Sequence, residues 1–117
     1  MTIRDIEEIL DAVFLAGHDQ ADRKVEIAGS ADMVSEFLKF ARPGTLILTG
    51  LANIQIVQCS HVLDASGIVV VRGKTPSQEM LARAEGLRIP VLATRYTLFE
   101  TSGRLYANGI VGCVNKL

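Results

Sequence analysis

Polar and cationic residues follow four segments that the sequence predicts to be β-strands, each at the point where a segment ends. These segments are a weakly alternating one at 24–28 and apolar runs at 45–49, 68–71 and 90–93. If they pair as parallel strands, their carboxyl ends meet at one edge of the sheet, beside helix N-termini whose free N–H groups attract anions. We therefore predict a rim that binds a phosphate or another small anion and contains Gly29, Ser30, Asp32, Thr49, Gly50, Asn53, Arg72, Gly73, Lys74, Thr94 and Arg95. The alternative is that these residues only cap helices and form turns.

The segment Arg-Gly-Lys-Thr at 72–75 ends like a phosphate-binding P-loop, whose pattern is Gly, four residues and then Gly-Lys-Ser/Thr. The residue five positions before Gly73 is Ile68, which belongs to an apolar run and is not glycine. Pro76 also removes a backbone N–H that such a loop would use. A P-loop is therefore excluded, and the arginine and the lysine of this segment remain as separate candidate contacts to an anion.

The remaining reactive residue types lack the spacing of a catalytic or metal site. Cys59, Ser60 and His61 are neighbours on a predicted helix, where adjacent residues face different directions. They therefore supply neither a nucleophile beside its base nor converging metal ligands. The sequence has no Gly-x-Ser-x-Gly nucleophile elbow and no carboxylate pair placed for acid–base work. We predict no enzyme activity, no metal and no cofactor.

The bulk composition is that of one domain. The chain has 117 residues, of which 49% are hydrophobic and 21% charged, so residues 1–117 are expected to form a single domain around one core. Aromatic residues make up only 5% and tryptophan is absent, so aliphatic side chains must fill that core. Aliphatic filling of this kind is typical of a buried parallel sheet covered by helices.

Charge and cysteine content restrict the partners and the compartment. The 12 basic and 13 acidic residues are spread along the chain, so a nucleic-acid partner is not expected. The two cysteines have no disulfide pattern, and the N-terminus lacks the features of a signal peptide. The longest apolar runs span about five residues, whereas a membrane helix needs about 20. We therefore expect a cytoplasmic protein that does not enter a membrane.

Periodicity and turn residues predict alternating helices and strands. A first amphipathic helix is expected at 3–14, because apolar residues recur there at three- and four-residue spacing and Gly17 follows as a stop. Four further helices are expected at 32–41, 53–66, 75–87 and 98–107, and the tail 110–117 is a candidate edge strand. Strands joined by crossover helices pair in parallel. We therefore predict a three-layer α/β/α domain with a mainly parallel sheet of four to five strands.

Two of the predicted helix starts have the pattern of a capping box. Thr75 precedes Pro76 and Gln78, which places proline at the first helical position and an amide at the third. Thr97 stands in the same relation to Glu100. We expect both threonines to be N-caps.

Three of the few aromatic residues lie close together near the end of the chain. Tyr96, Phe99 and Tyr106 fall within eleven positions. Core packing and stacking on a base are alternative uses of these side chains. Their concentration favours a subunit contact, and we predict a homodimer.

Several segments of the sequence resemble the DRTGG domain family. The strongest are VVVRGKTPSQEM at 69–80 and RIPVLATRYTLFE at 88–100, supported by RPGTLILT at 42–49 and AGSADMVSEFL at 28–38. The resemblance spans roughly residues 24–107. It implies a fold like the N-terminal domain of HPr kinase/phosphorylase. It also implies a regulatory rather than catalytic role, as for the DRTGG domains attached to CBS-domain pyrophosphatases and to phosphotransacetylases.

The sequence departs from the family pattern at the residues that give the family its name. The Asp-Arg pair would fall near 50–53, which reads Gly-Leu-Ala-Asn, and the Thr-Gly-Gly element at 71–73 reads Val-Arg-Gly. Only Gly73 of that element is kept. Ligand contacts that the family makes through those polar residues are therefore not carried over to this chain.

Three functions are consistent with these features. The leading hypothesis is a non-catalytic regulatory or sensor module that dimerises and binds a small anionic or nucleotide ligand at the strand ends. The alternative is a protein-binding adaptor of a metabolic or redox enzyme. The third is a small phosphate-handling enzyme that uses Arg72, Lys74 or Arg95 on a phosphorylated substrate.

Overall fold

The structure is a computed structural model, and it describes residues 1–114. Within these residues the chain forms five α-helices, a short 3-10 helix at His18–Gln20 and six β-strands. The helices are α1 (Ile3–Ile9), α2 (Val34–Phe40), α3 (Ile54–Val62), α4 (Gln78–Gly86) and α5 (Leu98–Ala107). The strands are β1 (Val13–Ala16), β2 (Ile27–Ser30), β3 (Thr45–Thr49), β4 (Gly67–Val70), β5 (Val91–Ala93) and β6 (Val111–Gly112). The bounds of β3 and α5 are those that the sequence predicts.

All six strands belong to one sheet, in the order β1-β5-β4-β3-β2-β6. The pairings from β5 to β6 are parallel, and β1 is antiparallel to β5. The central strands β3 and β4 are buried at every residue, which explains why they read as continuous apolar runs. The predicted α/β class with a mainly parallel sheet is confirmed. The sheet has six strands instead of four to five, because β1 and β6 extend its two edges.

Helices cover both faces of the sheet and give the three layers. On one face α2, α3 and α4 bury Phe37, Ile56 and Met80 against the strands. On the other face α1 and α5 bury Ile6 and Leu105. Each of these side chains is 0–1% exposed, and burying one such side chain contributes about 1.5–3 kcal/mol. The two apolar clusters fix the sheet between the helix layers and thereby fix the positions of the strand ends.

The prediction of one helix over 3–14 is wrong in its second half. The helix α1 ends at Ile9, and Asp11 adopts a left-handed φ of 47°. The chain then reverses into β1, where Val13 lies opposite Ala93 and Phe14 lies opposite Leu92 of β5. The apolar residues of β1 continue the helical spacing only by coincidence. Their conformation is decided by a partner strand far along the chain, which a local pattern does not reveal.

The strand predicted at 24–28 is shifted in the structure. Its first residues pair with the N-terminus: Thr2 forms an antiparallel bridge with Lys24, and the Val25 N–H donates to the Met1 carbonyl over 2.7 Å. As a result β2 begins only at Ile27 and continues through Ser30. The predicted edge strand at 110–117 corresponds to β6, which pairs in parallel with β2. Its residues 115–117 lie outside the described part of the chain.

One of the two predicted capping boxes is displaced. Thr97 is the N-cap of α5 as predicted, and its Oγ1 accepts the Glu100 N–H over 3.3 Å. The N-cap of α4 is Ser77 instead of Thr75, and its Oγ accepts the Met80 N–H over 3.1 Å. The Ser77 N–H also donates to a carbonyl of the loop after β3, which holds the residues before α4 out of the helix.

Four of the five helices end in the same backbone motif. In α1, for example, the Asp11 N–H donates to the Glu8 carbonyl and the Ala12 N–H donates to the Glu7 carbonyl, which is the Schellman arrangement. The residue after the C-cap is left-handed in each case. These residues are Asp11 (φ 47°), Asp64 (φ 54°), Arg88 (φ 57°) and Gly109 (φ 104°). Three of the four are therefore not glycine, although only glycine adopts this conformation without strain.

No helix among residues 1–114 has both the length and the apolar character that a membrane crossing requires.

Candidate ligand-binding edge of the sheet

The carboxyl ends of β2, β3, β4 and β5 lie side by side, because these four strands are neighbours and parallel. We call this side of the sheet the carboxyl edge. The antiparallel strand β1 starts at the same edge, since Val13 lies opposite Ala93 at the end of β5. The structure therefore brings the four predicted loops together and adds a fifth segment, around Leu10 and Asp11, that the sequence does not predict.

In one half of the carboxyl edge, the charged and polar groups are bonded to one another in an ion pair. The Asp32 carboxylate accepts the Gly50 N–H over 2.6 Å and lies 3.2 Å from Nη1 of Arg72. The hydrogen bond from Gly50 is the main cause that lowers the pKa of Asp32 below its ordinary value. Burial opposes this effect, and the Arg72 guanidinium and the charge of Lys74 lower the pKa further. We call these three residues the Asp32 cluster. Its carboxylate takes the backbone N–H and the guanidinium that an external anion would otherwise bind.

The loop between β4 and α4, residues 71–77, begins with a tight turn that contains the two cationic residues Arg72 and Lys74. Arg72 and Gly73 both have positive φ, 65° and 68°, and the Lys74 N–H donates to the Val71 carbonyl over 3.4 Å. This is the pattern of a type I′ turn. The N–H groups of Arg72 and Gly73 donate to carbonyls of the loop after β5, over 2.8 and 2.9 Å. These two amides are thus used within the protein, and the anion-binding capacity of the turn rests on its side chains.

The other half of the carboxyl edge is an open cavity of about 480 Å³ between the ends of β1, β4 and β5. Its wall contains apolar, cationic and acidic side chains. The lining residues are Leu10, Asp11, Val13, Gly73, Lys74, Ala93, Thr94, Arg95 and Tyr96. Lys74 and Arg95 are exposed, and neither forms an ion pair within residues 1–114. The cavity therefore presents two cations and the carboxylate of Asp11, none of which is joined in an ion pair among residues 1–114.

Thr94 holds the two sides of this cavity together. Its side chain is buried, and its Oγ1 donates to the Leu10 carbonyl over 2.7 Å. The same Oγ1 accepts the Tyr96 N–H over 3.3 Å. One hydroxyl thus ties the end of α1 to the loop after β5. Thr94 thus positions the walls of the cavity, and its role as a direct ligand contact stays a prediction.

Gly29 and Thr49, two further predicted site residues, lie in the body of the sheet. A Cβ at Gly29 would be 2.9 Å from both the Phe40 ring and the Cys113 Sγ, so packing requires glycine here. Thr49 is fully buried, and its Oγ1 accepts the Leu51 N–H over 3.1 Å. Both residues shape the strand ends from below the surface of the carboxyl edge.

Ser30 and Asn53 lie at the carboxyl edge but outside the cavity. The Ser30 Oγ is 2.7 Å from the Ser102 Oγ, so this hydroxyl has a partner on α5. Asn53 is the N-cap residue of α3 and is exposed, and its side chain makes no capping hydrogen bond. Of the eleven predicted residues, the cavity therefore brings together Gly73, Lys74, Thr94 and Arg95, and the Asp32 cluster brings together three others.

The aromatic residues near the end of the chain divide into two environments. Tyr96 lines the cavity, and the guanidinium of Arg104 lies 4.1 Å from the centre of its ring. Phe99 and Tyr106 are 89% and 73% exposed on α5. The cation–π contact stabilises the cavity wall. The two exposed rings are available for contact with another molecule.

Among residues 1–114, no three His, Cys, Asp or Glu side chains converge in the manner of a metal site. Both cysteines are buried free thiols. Burial raises the pKa of the Cys59 thiol, so this group stays protonated at neutral pH.

The comparison with known families settles the classification. The model of the DRTGG domain matches residues 5–107. The chain belongs to the DRTGG domain family. The DRTGG match includes the turn at 71–73, where Arg72 takes a left-handed conformation that normally favours glycine. No curated protein matches the sequence.

The fold of this DRTGG domain also occurs in a solved structure. It is similar to the CBS and DRTGG domains of the regulatory region of Clostridium perfringens pyrophosphatase, crystallised with the activator diadenosine tetraphosphate. The TM-score is 0.74 at 20% sequence identity, and the match covers 98% of this chain and 50% of the pyrophosphatase chain. The chain thus spans half the length of that structure. At this identity the likeness establishes the fold.

Proposed function

We propose that this DRTGG domain is a non-catalytic regulatory module that binds a small anionic ligand, such as a nucleotide, in the cavity between β1, β4 and β5. The observation that carries the proposal is the presence of Lys74 and Arg95 in one cavity without a described ion-pair partner. Support also comes from the pyrophosphatase, whose regulatory region contains this fold in half of its chain and was crystallised with a nucleotide activator.

The two halves of the carboxyl edge differ in what they offer an anion. In the Asp32 cluster, Arg72 is already paired with a carboxylate, so an incoming anion must compete with it. Lys74 and Arg95 lose no described ion pair when a phosphate approaches them. A charge-assisted hydrogen bond to a phosphate contributes about 1.5–3 kcal/mol. The open cavity is therefore the favoured site on this edge.

The test is ligand binding measured by calorimetry and by thermal shift at low salt, with inorganic phosphate and a nucleotide panel as probes. We expect at least one probe to bind and to raise the melting temperature. Lys74→Ala and Arg95→Ala should each weaken that binding about tenfold or more. Arg83→Ala on α4 removes an exposed cation remote from the cavity lining and serves as the matched control. If no probe binds the wild-type protein, the proposal is wrong.

We further propose that the domain forms a homodimer through α5. Phe99 and Tyr106 are seven positions apart and so lie on one face of the helix, with Gly103 between them. A Cβ at Gly103 would meet no atom within 4 Å, so the face between the two rings is open to the approach of a second helix. An antiparallel second copy of α5 would bring Phe99 of one copy against Tyr106 of the other.

Molecular mass in solution tests the dimer. The wild type should have twice the monomer mass, and Phe99→Ala with Tyr106→Ala should give a folded monomer. Val62→Ala, which shortens an exposed apolar side chain on α3, should leave the dimer intact. A wild-type protein that is monomeric at all accessible concentrations would overturn the dimer proposal.

An adaptor that binds a metabolic or redox enzyme is the second candidate, and the exposed rings of α5 favour it equally. The two candidates differ in their response to ligand. An adaptor forms a stoichiometric complex with an enzyme. This complex disappears in the Phe99→Ala, Tyr106→Ala variant and is unaffected by nucleotides.

The third candidate, a phosphate-handling enzyme, predicts turnover of a phosphorylated substrate that Lys74→Ala abolishes. We expect no such turnover.

We also propose that residues 1–117 act as one domain in the cytoplasm. The two buried, unpaired cysteines support this compartment, because free thiols are typical of a reducing environment. Reaction with a thiol reagent after unfolding should count two free thiols in protein taken directly from cells. A disulfide between them would contradict the assignment.

A further inference from the structure

Among residues 1–114, Asp11 is the one acidic residue in the lining of the cavity that also contains Lys74 and Arg95. A carboxylate is unfavourable in a site that binds only an anion, since like charges repel. Its side chain has no hydrogen bond and no ion pair within the described residues. The cavity therefore offers a ligand both two cations and one free acceptor of opposite charge.

The fold does not require the charge of Asp11. The residue occupies the left-handed position after the C-cap of α1, which glycine or asparagine fills equally well. An acidic side chain at a helix C-terminus is also disfavoured, because the backbone carbonyls concentrate partial negative charge there. Asp64 occupies the equivalent backbone position after α3, away from the residues that line the cavity. The two aspartates are thus alike in conformation and differ in what they face.

The remaining wall of the cavity is apolar. Leu10, Val13 and Ala93 line it, together with the ring of Tyr96. A volume of about 480 Å³ falls in the range of pockets that bury ligands much larger than a phosphate ion. A matching ligand has an anionic group, a body with apolar surface and a hydrogen-bond donor.

We propose that Asp11 is a specificity-determining residue that selects a nucleoside monophosphate over inorganic phosphate. Lys74 and Arg95 bind the phosphate, and the Asp11 carboxylate accepts hydrogen bonds from hydroxyl or amino groups of the nucleoside. The same carboxylate repels a bare phosphate, which has no nucleoside donors to offer it. This inference rests on the proposed anion-binding function of the cavity.

The experiment compares dissociation constants for the four common ribonucleoside monophosphates and for inorganic phosphate, at low salt. The proteins are the full-length wild type, Asp11→Asn and the matched control Asp64→Asn. We expect the wild type to bind at least one nucleoside monophosphate at least tenfold more tightly than inorganic phosphate. Asp11→Asn should weaken nucleotide binding and strengthen phosphate binding, so that the preference falls about tenfold. Asp64→Asn should leave the preference unchanged.

The outcomes separate this inference from the proposed function. If both ligands bind and their ratio is the same in the wild type and in Asp11→Asn, Asp11 does not determine specificity although the cavity binds anions. If neither ligand binds the wild type, both proposals fail together. If Asp64→Asn changes the ratio as much as Asp11→Asn does, the effect is one of helix-end stability and the inference is overturned.

Discussion

The guanidinium group of Arg72 lies directly over Gly50, so that a Cβ at residue 50 would be 2.8 Å from its Cζ. The same hypothetical Cβ would lie 3.0 Å from the Asp32 carboxylate, which bridges the two residues. Glycine at position 50 is therefore a condition for the ion pair that closes this half of the carboxyl edge. The conformation of Gly50 does not explain the requirement, since its φ is not positive.

This relationship predicts that Gly50→Ala and Arg72→Ala are not additive. The methyl group of Gly50→Ala displaces the guanidinium, because the end of an arginine side chain moves more easily than the backbone. Each single variant should lower the free energy of unfolding by no more than about 1 kcal/mol, as expected for an exposed ion pair. Urea unfolding of the two single variants and the double variant measures the coupling. Strict additivity would show that Arg72 and Asp32 do not form the pair in solution.

The lowered pKa of Asp32 predicts an acid-dependent part of the stability. A carboxyl group whose pKa is depressed in the folded protein stabilises the fold fully above its ordinary pKa of about 3.9. That contribution is lost as the pH falls through the lower folded pKa. The hydrogen bond from Gly50 is the largest cause of the lowered pKa, burial opposes it, and the Arg72 guanidinium adds a further lowering. The difference in unfolding free energy between wild type and Asp32→Asn should be constant from about pH 5 to 7 and shrink below about pH 3.9.

A pH-independent difference would mean that the Asp32 carboxylate has the same environment in the folded and unfolded chain. Arg72→Ala supplies a second check on the cause. It should reduce the pH-dependent difference only in part, because the stronger interaction, with the Gly50 N–H, remains.

Local patterns predict the elements whose conformation is decided locally. The run Thr45–Thr49 is apolar throughout and bounded by glycines, and it forms β3 with the predicted bounds. The helix Leu98–Ala107 has its threonine cap and its glycine stop, and it too has the predicted bounds. The strand β1 follows α1 in the same amphipathic spacing, and only its pairing with the distant β5 makes it a strand.

The residues of the candidate site also divide into those that local patterns predict and those that depend on a distant pairing. The rule that ligands bind at strand ends predicts Gly73, Lys74, Thr94 and Arg95, because each lies in the loop after β4 or β5. Asp11 reaches the cavity through the antiparallel pairing of β1, so the error over α1 hides it as well. No local signal marks this residue, because the helix predicted over 3–14 places Asp11 inside the helix and the structure ends α1 at Ile9.

The buried residues Thr94 and Thr101 give a matched pair of predictions, because within the described residues the hydroxyl of Thr94 is hydrogen-bonded and that of Thr101 is not. Thr94→Val removes the hydroxyl that bonds the Leu10 carbonyl and the Tyr96 N–H, and should lower the free energy of unfolding by about 1–3 kcal/mol. The Thr101 Oγ1 is buried and has no hydrogen-bond partner among residues 1–114. Thr101→Val should therefore be neutral or stabilising, because it replaces an unsatisfied hydroxyl with a methyl group of similar size.

Chemical unfolding measures both threonine variants under one set of conditions. Thr94→Val should also weaken ligand binding in the open cavity, because it releases the end of α1 from the loop after β5. A Thr101→Val variant as destabilised as Thr94→Val would show that its hydroxyl does have a partner in solution.

The non-glycine residues in the Schellman motifs predict that a single substitution stabilises the protein. Asp64→Gly relieves the left-handed conformation at φ 54° and removes a negative charge from the C-terminus of α3, and both effects have the same sign. It should raise the free energy of unfolding by up to about 1 kcal/mol. The reverse change at the end of α5, Gly109→Ala, should lower it by about 1 kcal/mol, although a Cβ there has open space. Asp64→Asn separates the two effects, since it removes the charge and keeps a side chain. If Asp64→Gly destabilises the protein, the Asp64 side chain makes a contact that outweighs the strain.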